Sequence, residues 1–233
     1  MKKLEGKTAL VTGSSRGVGK LVAEALAQQG CRVFVHGRTI QAAEATLALV
    51  RAAGSDGKAF AAELHDPAQV DRLAAEVLAA GGVDILYNNA AVMSTWTEDI
   101  SKQDMSDWAR VFQINIFAPM RLTTLLLPSI QAKGWGRIVN VTSGIDKTWQ
   151  LAAYGASKWA LDKWTDDLGA LLKGTKIVVS RMDPGWLRTD LGGPNADNAP
   201  ETVLPGAMVP VMLADDAAQA QFFCAQLLRD AKI

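Results

Sequence analysis

Residues 7–11 (KTALV) form a short apolar run. The chain then passes through Thr12-Gly13-Ser14-Ser15-Arg16-Gly17-Val18-Gly19 into a helical pattern carried by Val22, Ala23, Leu26 and Ala27. A run of that length suits a buried strand. Strand, glycine turn and helix together form the entry to a βαβ unit of the kind that binds dinucleotides. Glycine lets the backbone turn tightly and approach a pyrophosphate, and the free N–H groups at the helix start face the anion. The spacing is TGxxxGxG rather than GxGxxG. Taken alone, the same spacing also occurs in a plain glycine-rich αβ turn.

The rest of the chain repeats the alternation. Apolar, β-branched runs at 33–35, 58–62, 83–87, 138–141 and 177–180 read as strands, with helical stretches at 41–52, 68–78, 104–130 and 153–171 between them. This predicts an α/β fold: one doubly wound, Rossmann-type parallel sheet with helices on both faces. A chain of 233 residues fits one such domain, 1–233, holding both cofactor and substrate sites. Pro119 and Pro128 are expected to bend or end the long fourth helix. No repeat, linker or low-complexity tract interrupts the pattern. Ligands of such sheets lie beyond the carboxyl ends of the strands, where Gly13, Asn89, Ser143 and Pro184 all fall.

Tyr154 and Lys158 lie four apart in a helical stretch, so phenol and ammonium share one face. A free tyrosine titrates near pH ~10, and a nearby positive charge favours the phenolate. A depression of roughly three units would fit Tyr154 for general acid/base work at neutral pH. An amphipathic surface pair has the same spacing. Composition narrows the alternatives. With 24 acidic against 24 basic side chains and no basic stripe, nucleic acid is not an expected partner. No apolar run approaches the ~18 residues of a membrane span, and the N-terminus lacks a signal peptide's apolar region, so a cytoplasmic protein is expected. Cys31 and Cys224 have no metal-ligand spacing and read as free thiols; His36 and His65 read as local loop residues, and no metal is expected.

Taken with these two motifs, the chain resembles the short-chain dehydrogenase/reductase superfamily from Leu4 to about Pro210, with its motifs in the family's order. Asn88-Asn89-Ala90-Ala91 is similar to the family's NNAG element, with Ala91 in place of glycine. Asn115 falls at the family's active-site asparagine, Ser143 at its catalytic serine, and Asp183-Pro184-Gly185-Trp186-Leu187-Arg188-Thr189 resembles its PGxxxT element. The resemblance implies a catalytic set of Asn115, Ser143, Tyr154 and Lys158. It implies cofactor contacts from Gly13, Ser15, Arg16, Gly17, Val18, Gly19, Arg38, Glu63, Leu64, Asn89, Ala90, Tyr154, Lys158, Pro184, Gly185 and Thr189. In that scheme Tyr154 exchanges a proton with the substrate oxygen and Ser143 hydrogen-bonds that oxygen. Lys158 holds the nicotinamide ribose and depresses the Tyr154 pKa, Asn115 anchors a water, and Thr189 bonds the carboxamide. Ser143 precedes Tyr154 by 11 residues, a slightly short interval for the family; Thr142 is expected to point to the other face of the strand.

After the second strand the chain offers His36-Gly37-Arg38-Thr39, with no carboxylate for a ribose 2′-hydroxyl. Arg38 and Arg16 suit a 2′-phosphate instead, which predicts NADP(H) in preference to NAD(H). Glu63 stands where the family uses an aspartate beside adenine. For the substrate, the segment 186–210 is expected to act as a lid, with Met93, Trp149, Leu151, Trp186 and Leu187 lining the pocket and Trp96 close. Aromatic lining favours an apolar or aromatic carbonyl compound; the alternative is that the same indoles pack lid against core. The stretch PGWLRTDLGGPNA resembles the carbonyl-reductase branch and its relatives among bacterial cell-contact signalling proteins. The family's VDGG tail is absent, which favours a monomer or homodimer over a tetramer, with Trp159 and Trp164 either pairing two copies or joining the core. Two functions stand: an NADPH-dependent carbonyl reductase, or a nucleotide-binding signalling or scaffold protein with little catalysis.

Overall fold

Valine, isoleucine and leucine fill the central strands so completely that both their faces are buried, as a parallel sheet covered by helices on each side requires. The computed structural model describes residues 2–233. Its strands are β1 (Thr8–Val11), β2 (Arg32–Gly37), β3 (Lys58–Ala61), β4 (Ile85–Asn88), β5 (Gly136–Val141), β6 (Ile177–Asp183) and β7 (Gln221–Cys224). They form one parallel sheet in the order β3-β2-β1-β4-β5-β6-β7. The predicted α/β class and six of the strands are present. β7 is an addition, a four-residue edge strand pairing Ser180 with Gln221. The order reverses between β1 and β4, which opens a crevice at their carboxyl ends.

Helices α1 (Gly17–Gln28) and α2 (Ile40–Ala52) cover one face, where Val22, Leu26 and Val50 pack with Val33, Val35 and Tyr87. Helices α3 (Pro67–Ala79), α4 (Met105–Phe112), α5 (Ala118–Ala132) and α6 (Ala152–Leu172) follow in the chain. The second face buries Leu73 and Val77 of α3, Leu122 and Leu126 of α5, and Leu168 of α6 against Leu10, Phe34 and Leu86.

Several expectations need correction. Neither proline ends the fourth helical run. Pro119 sits in the first turn of α5, where a missing N–H is tolerated, and Pro128 lies inside α5, which continues to Ala132. The irregularity falls earlier, in a π turn over Gln113–Phe117. The run Met105–Ala132 is also long and apolar enough to cross a membrane by length and composition, contrary to expectation; its Leu122, Leu126 and Ile130 pack in the core beside the sheet. His36 lies within β2, not in a loop, and is buried. The segment 186–210 is not a lid over its whole length. Val203, Ala207 and Met208 belong to the core, and the buried Tyr87 hydroxyl donates to the Ala207 carbonyl at 2.8 Å.

That last bond fixes a long crossing connection to the centre of the sheet. Tyr87→Phe leaves the Ala207 carbonyl without its partner in a buried position. We expect a loss of about 1–3 kcal/mol in urea-unfolding stability, with no change of fold by circular dichroism.

Candidate active site

The crevice between β1 and β4 is closed at its base by one hydroxyl. Thr12 Oγ1 accepts the backbone N–H groups of Asn89 and Ala90 at 3.0 and 3.1 Å. Asn89 returns the contact, donating Nδ2 to the carbonyls of Thr12 and Gly13 at 2.9 and 3.1 Å. Gly13 and Gly17 adopt φ of +62 and +56, the left-handed region that favours glycine. A Cβ on Gly13 would lie 2.8 Å from Ala90 Cα, and one on Gly19 would lie 2.5 Å from Asn89 Nδ2. Gly19 and Asn89 thus serve close backbone packing. The start of α1 carries no side-chain cap and no acidic residue in its first turn, which leaves its N–H groups to an anion.

Sequence reasoning missed His36 as part of this structure. Its Nδ1 accepts the Gly13 N–H at 3.0 Å, and Nε2 lies 3.1 Å from the Ala62 carbonyl, which assigns the proton to Nε2. The neutral ring ties the glycine turn to the end of β3. Burial pushes its pKa down to about 4, opposed by the Ala62 bond.

A cavity of about 750 Å³ runs from the glycine turn to Tyr154 and Lys158. Gly13, Ser15, Arg16, Gly17 and Val18 line one end, with Arg38, Glu63 and Leu64 beyond them; Asn89, Ala90, Pro184 and Thr189 line the middle. Arg38 is exposed at the rim and makes no ion pair among the described residues, whereas Arg16 pairs with Asp190 at 2.9 Å. The Glu63 carboxylate lies 3.4 Å from His65 Nδ1, and its N–H donates to Gln69 at 3.0 Å. Gly185 lies off the wall, with φ of +81 and its N–H bonded to Asp183 Oδ1 at 2.8 Å.

Helix α6 buries Tyr154, Ser157, Lys158 and Leu161 on one face, as the four-residue spacing requires. Lys158 Nζ lies 5.6 Å from the Tyr154 ring centroid and donates to the Val141 carbonyl at 2.8 Å. The expected depression of the Tyr154 pKa is not found. Burial pushes it up to about 12, Ser143 pulls it back through a side-chain hydrogen bond, and the Asp183 charge raises it further. Burial likewise lowers Lys158 to about 8, against the charges of Asp162 and Asp183. The ammonium is directed to a carbonyl rather than to the phenol, so desolvation dominates.

Asn115, also buried, is tied at every turn: its side chain accepts the Val92 N–H at 2.9 Å and donates to the Val92 carbonyl and to Ser157 Oγ, both at 3.0 Å. It therefore bridges the segment after β4 to α6. Pro119 has no N–H to offer the Asn115 carbonyl. Asp183 was also missed. Oδ2 accepts the Gly144 N–H at 3.0 Å while Oδ1 holds Gly185, so one carboxylate joins the two loops flanking the reaction centre. An aspartate two residues before a glycine at a strand end was the available signal, since such side chains bond their own backbone two residues on.

The predicted substrate residues are not brought together. Met93 lines the cavity, joined by Arg110 and Ile114. Leu187 is only 3% exposed and belongs to the core. Trp149 lies on a separate groove of about 290 Å³ shared with Trp159, and Leu151 follows it in a 3-10 turn. Trp186 is exposed and donates to the Gly192 carbonyl at 2.8 Å; Trp96 is exposed and donates to Glu98 at 2.7 Å. Trp164 packs against the core, while Trp159 is exposed.

His36 gives this site a pH signature. In the unfolded chain it takes up a proton near pH 6.5, but in the folded protein only near pH 4. Stability is therefore fully present above about 6.5 and falls as pH drops toward 4, by up to about 1.4 kcal/mol per unit. Urea melts across that window should show this slope in wild type and a shallower one in His36→Gln.

Comparison with known proteins agrees with the architecture. The short chain dehydrogenase family matches residues 7–199. The ketoacyl reductase HetN of Nostoc sp. is 33% identical over 224 residues, covering 94% of this chain and 77% of that protein. The 3-oxoacyl-(acyl-carrier-protein) reductase FabG of Vibrio cholerae is 31% identical over 191 residues, covering 81% and 76%. A metagenomic short-chain oxidoreductase solved in complex with NADP superimposes with a TM-score of 0.82 at 28% identity, covering 94% of this chain and 96% of that one. The chain belongs to the short-chain dehydrogenase/reductase superfamily, whose members are NAD(P)-binding oxidoreductases.

Proposed function

We propose that this protein is an NADPH-dependent reductase that interconverts a ketone or aldehyde and its alcohol. One observation carries the reading: the buried face holding Tyr154 and Lys158, with Ser143 beside the phenol, closes the same cavity that begins at the glycine turn. The uncapped start of α1 suits a diphosphate, and the exposed Arg38 suits a 2′-phosphate. Gly13, Ser15, Gly17, Val18, Asn89, Ala90, Pro184 and Thr189 would hold the rest of the dinucleotide. Bound NADPH supplies a hydride to the carbonyl carbon.

Everything else falls to the chain. Tyr154 donates its proton to the substrate oxygen as charge builds there, and Ser143 hydrogen-bonds the same oxygen. A phenol near pKa 12 is fully protonated at neutral pH, as a proton donor in the reductive direction must be. Lys158, still mostly charged at pH 7, steadies the phenolate left behind and binds the nicotinamide ribose. Asn115 positions this machinery by tying Val92 to α6.

Met93 and Ile114 give the substrate end of the cavity an apolar wall, which favours a carbonyl carried on an apolar arm. HetN, a ketoacyl reductase, and FabG, a 3-oxoacyl-(acyl-carrier-protein) reductase, agree with a ketone of this kind. The part of 186–210 outside the core, around Gly192-Gly193-Pro194, is the portion able to serve as a lid.

The test is NADPH consumption against aryl ketones, 3-oxoacyl thioesters, quinones and aldehydes, with cofactor dissociation constants measured alongside. We expect oxidation by at least one apolar ketone class and tighter binding of NADPH than of NADH. Tight cofactor binding without oxidation across the panel would favour the scaffold reading, and a preference for NADH would reject the assignment of Arg38.

A further inference from the structure

Arg16 and Asp190 face each other at the mouth of the cofactor cavity, and both line it. Arg16 stands in the glycine turn, Asp190 in the segment that follows β6. The guanidinium Nη1 lies 2.9 Å from Oδ2. Beside them, Thr189 Cγ2 lies 3.5 Å from the place a Cβ would occupy on Gly17. The segment after β6 therefore rests on the glycine turn, the very stretch assigned to the cofactor phosphates.

A tight turn holds it there. The Gly193 N–H donates to the Thr189 carbonyl at 2.8 Å, and the Gly192 N–H to Thr189 Oγ1 at 3.3 Å. Gly193 has φ of +77, and a Cβ on Gly192 would lie 2.1 Å from the Leu187 carbonyl oxygen. With the turn built this way, Thr189 and Asp190 are presented to the glycine turn as a unit.

Both partners of the ion pair are 68% exposed. Such a pair contributes little and is easily exchanged. A phosphate dianion offers Arg16 a stronger, bidentate partner, and a ribose hydroxyl does not. We infer that Asp190 is a resident counter-ion of Arg16 that a 2′-phosphate displaces, so that the Thr189–Asp190 segment is a latch released by NADP(H) and left shut by NAD(H). This rests on the reading of the cavity as an NADP(H) site. Asp190 is then a specificity residue of an unobvious sign: its carboxylate opposes NADPH by competing for Arg16, and leaves NADH alone. Arg38, unpaired among the described residues, gives the phosphate its first contact without any such exchange.

The experiment is a double-mutant cycle read by cofactor binding rather than by turnover. Dissociation constants for NADPH and NADH are measured by tryptophan-fluorescence titration at low salt, for wild type, Asp190→Asn, Arg16→Gln and the double variant. Asp190→Asn should tighten NADPH about two- to fivefold, the range an exposed ion pair supports, and leave NADH unchanged. In the Arg16→Gln background the same substitution should move neither cofactor. Equal shifts for both cofactors, no shift for NADPH, or a shift that survives Arg16→Gln would overturn the latch. Arg38→Ala, titrated in parallel, separates the two levels of the argument. If it weakens NADPH alone while Asp190→Asn is silent, the latch fails and the NADP(H) reading stands. If it leaves NADPH unaffected and wild type prefers NADH, the cofactor reading fails and the latch with it.

Discussion

The Thr12 hydroxyl, accepting two backbone N–H groups from the far side of the crevice, is the contact on which the rest of the site depends. A parallel sheet that reverses its strand order must separate the loops leaving β1 and β4, and a gap there would admit a ligand of no defined shape. Thr12 and Asn89 close the base of that gap with four short bonds. His36 fixes the third corner by holding Gly13 to the end of β3. Because Thr12 and His36 are buried and their bonds to Gly13, Asn89 and Ala90 are made within the chain, the glycine turn is held before any ligand arrives. A preorganised turn loses little freedom on binding, which is how a short loop gains affinity.

The other end of the cavity is governed by burial. Tyr154 and Lys158 share a helix face, yet removal from water shifts them in opposite directions: the phenol upward and the amine downward. Each change favours the neutral form, as desolvation does. Asp183 connects the two loops beside the pair and supplies negative charge near both; with Asp162, the larger influence, it keeps Lys158 from falling further. One carboxylate thus serves as loop anchor and as electrostatic neighbour.

Much of this was legible in the residues. The glycine turn, the alternation and the spacing of Tyr154 and Lys158 each follow from local chain geometry, so six strands and the buried face appear where expected. What escaped depends on contacts distant in sequence. β7 is four residues at an edge, too short for a periodic signal. Leu187 reads as pocket lining beside Trp186, but the turn over Gly192 directs it into the core. Pro119 marks an irregular helix correctly, while the π turn that absorbs it lies upstream. The electrostatic expectation for Tyr154 failed for a related reason: spacing gives proximity, whereas the pKa follows first the depth of burial and then Ser143 and Asp183, residues distant in sequence.

The central claim is that Tyr154 moves a proton during turnover and is not merely part of the wall. Replacing it with phenylalanine keeps the ring in its buried place and removes only the hydroxyl. With the ketone identified by the substrate panel, kcat of Tyr154→Phe should fall about 100-fold or more, with NADPH bound nearly as tightly as by wild type. Retention of more than roughly a tenth of wild-type turnover would contradict general acid catalysis of that size by this residue.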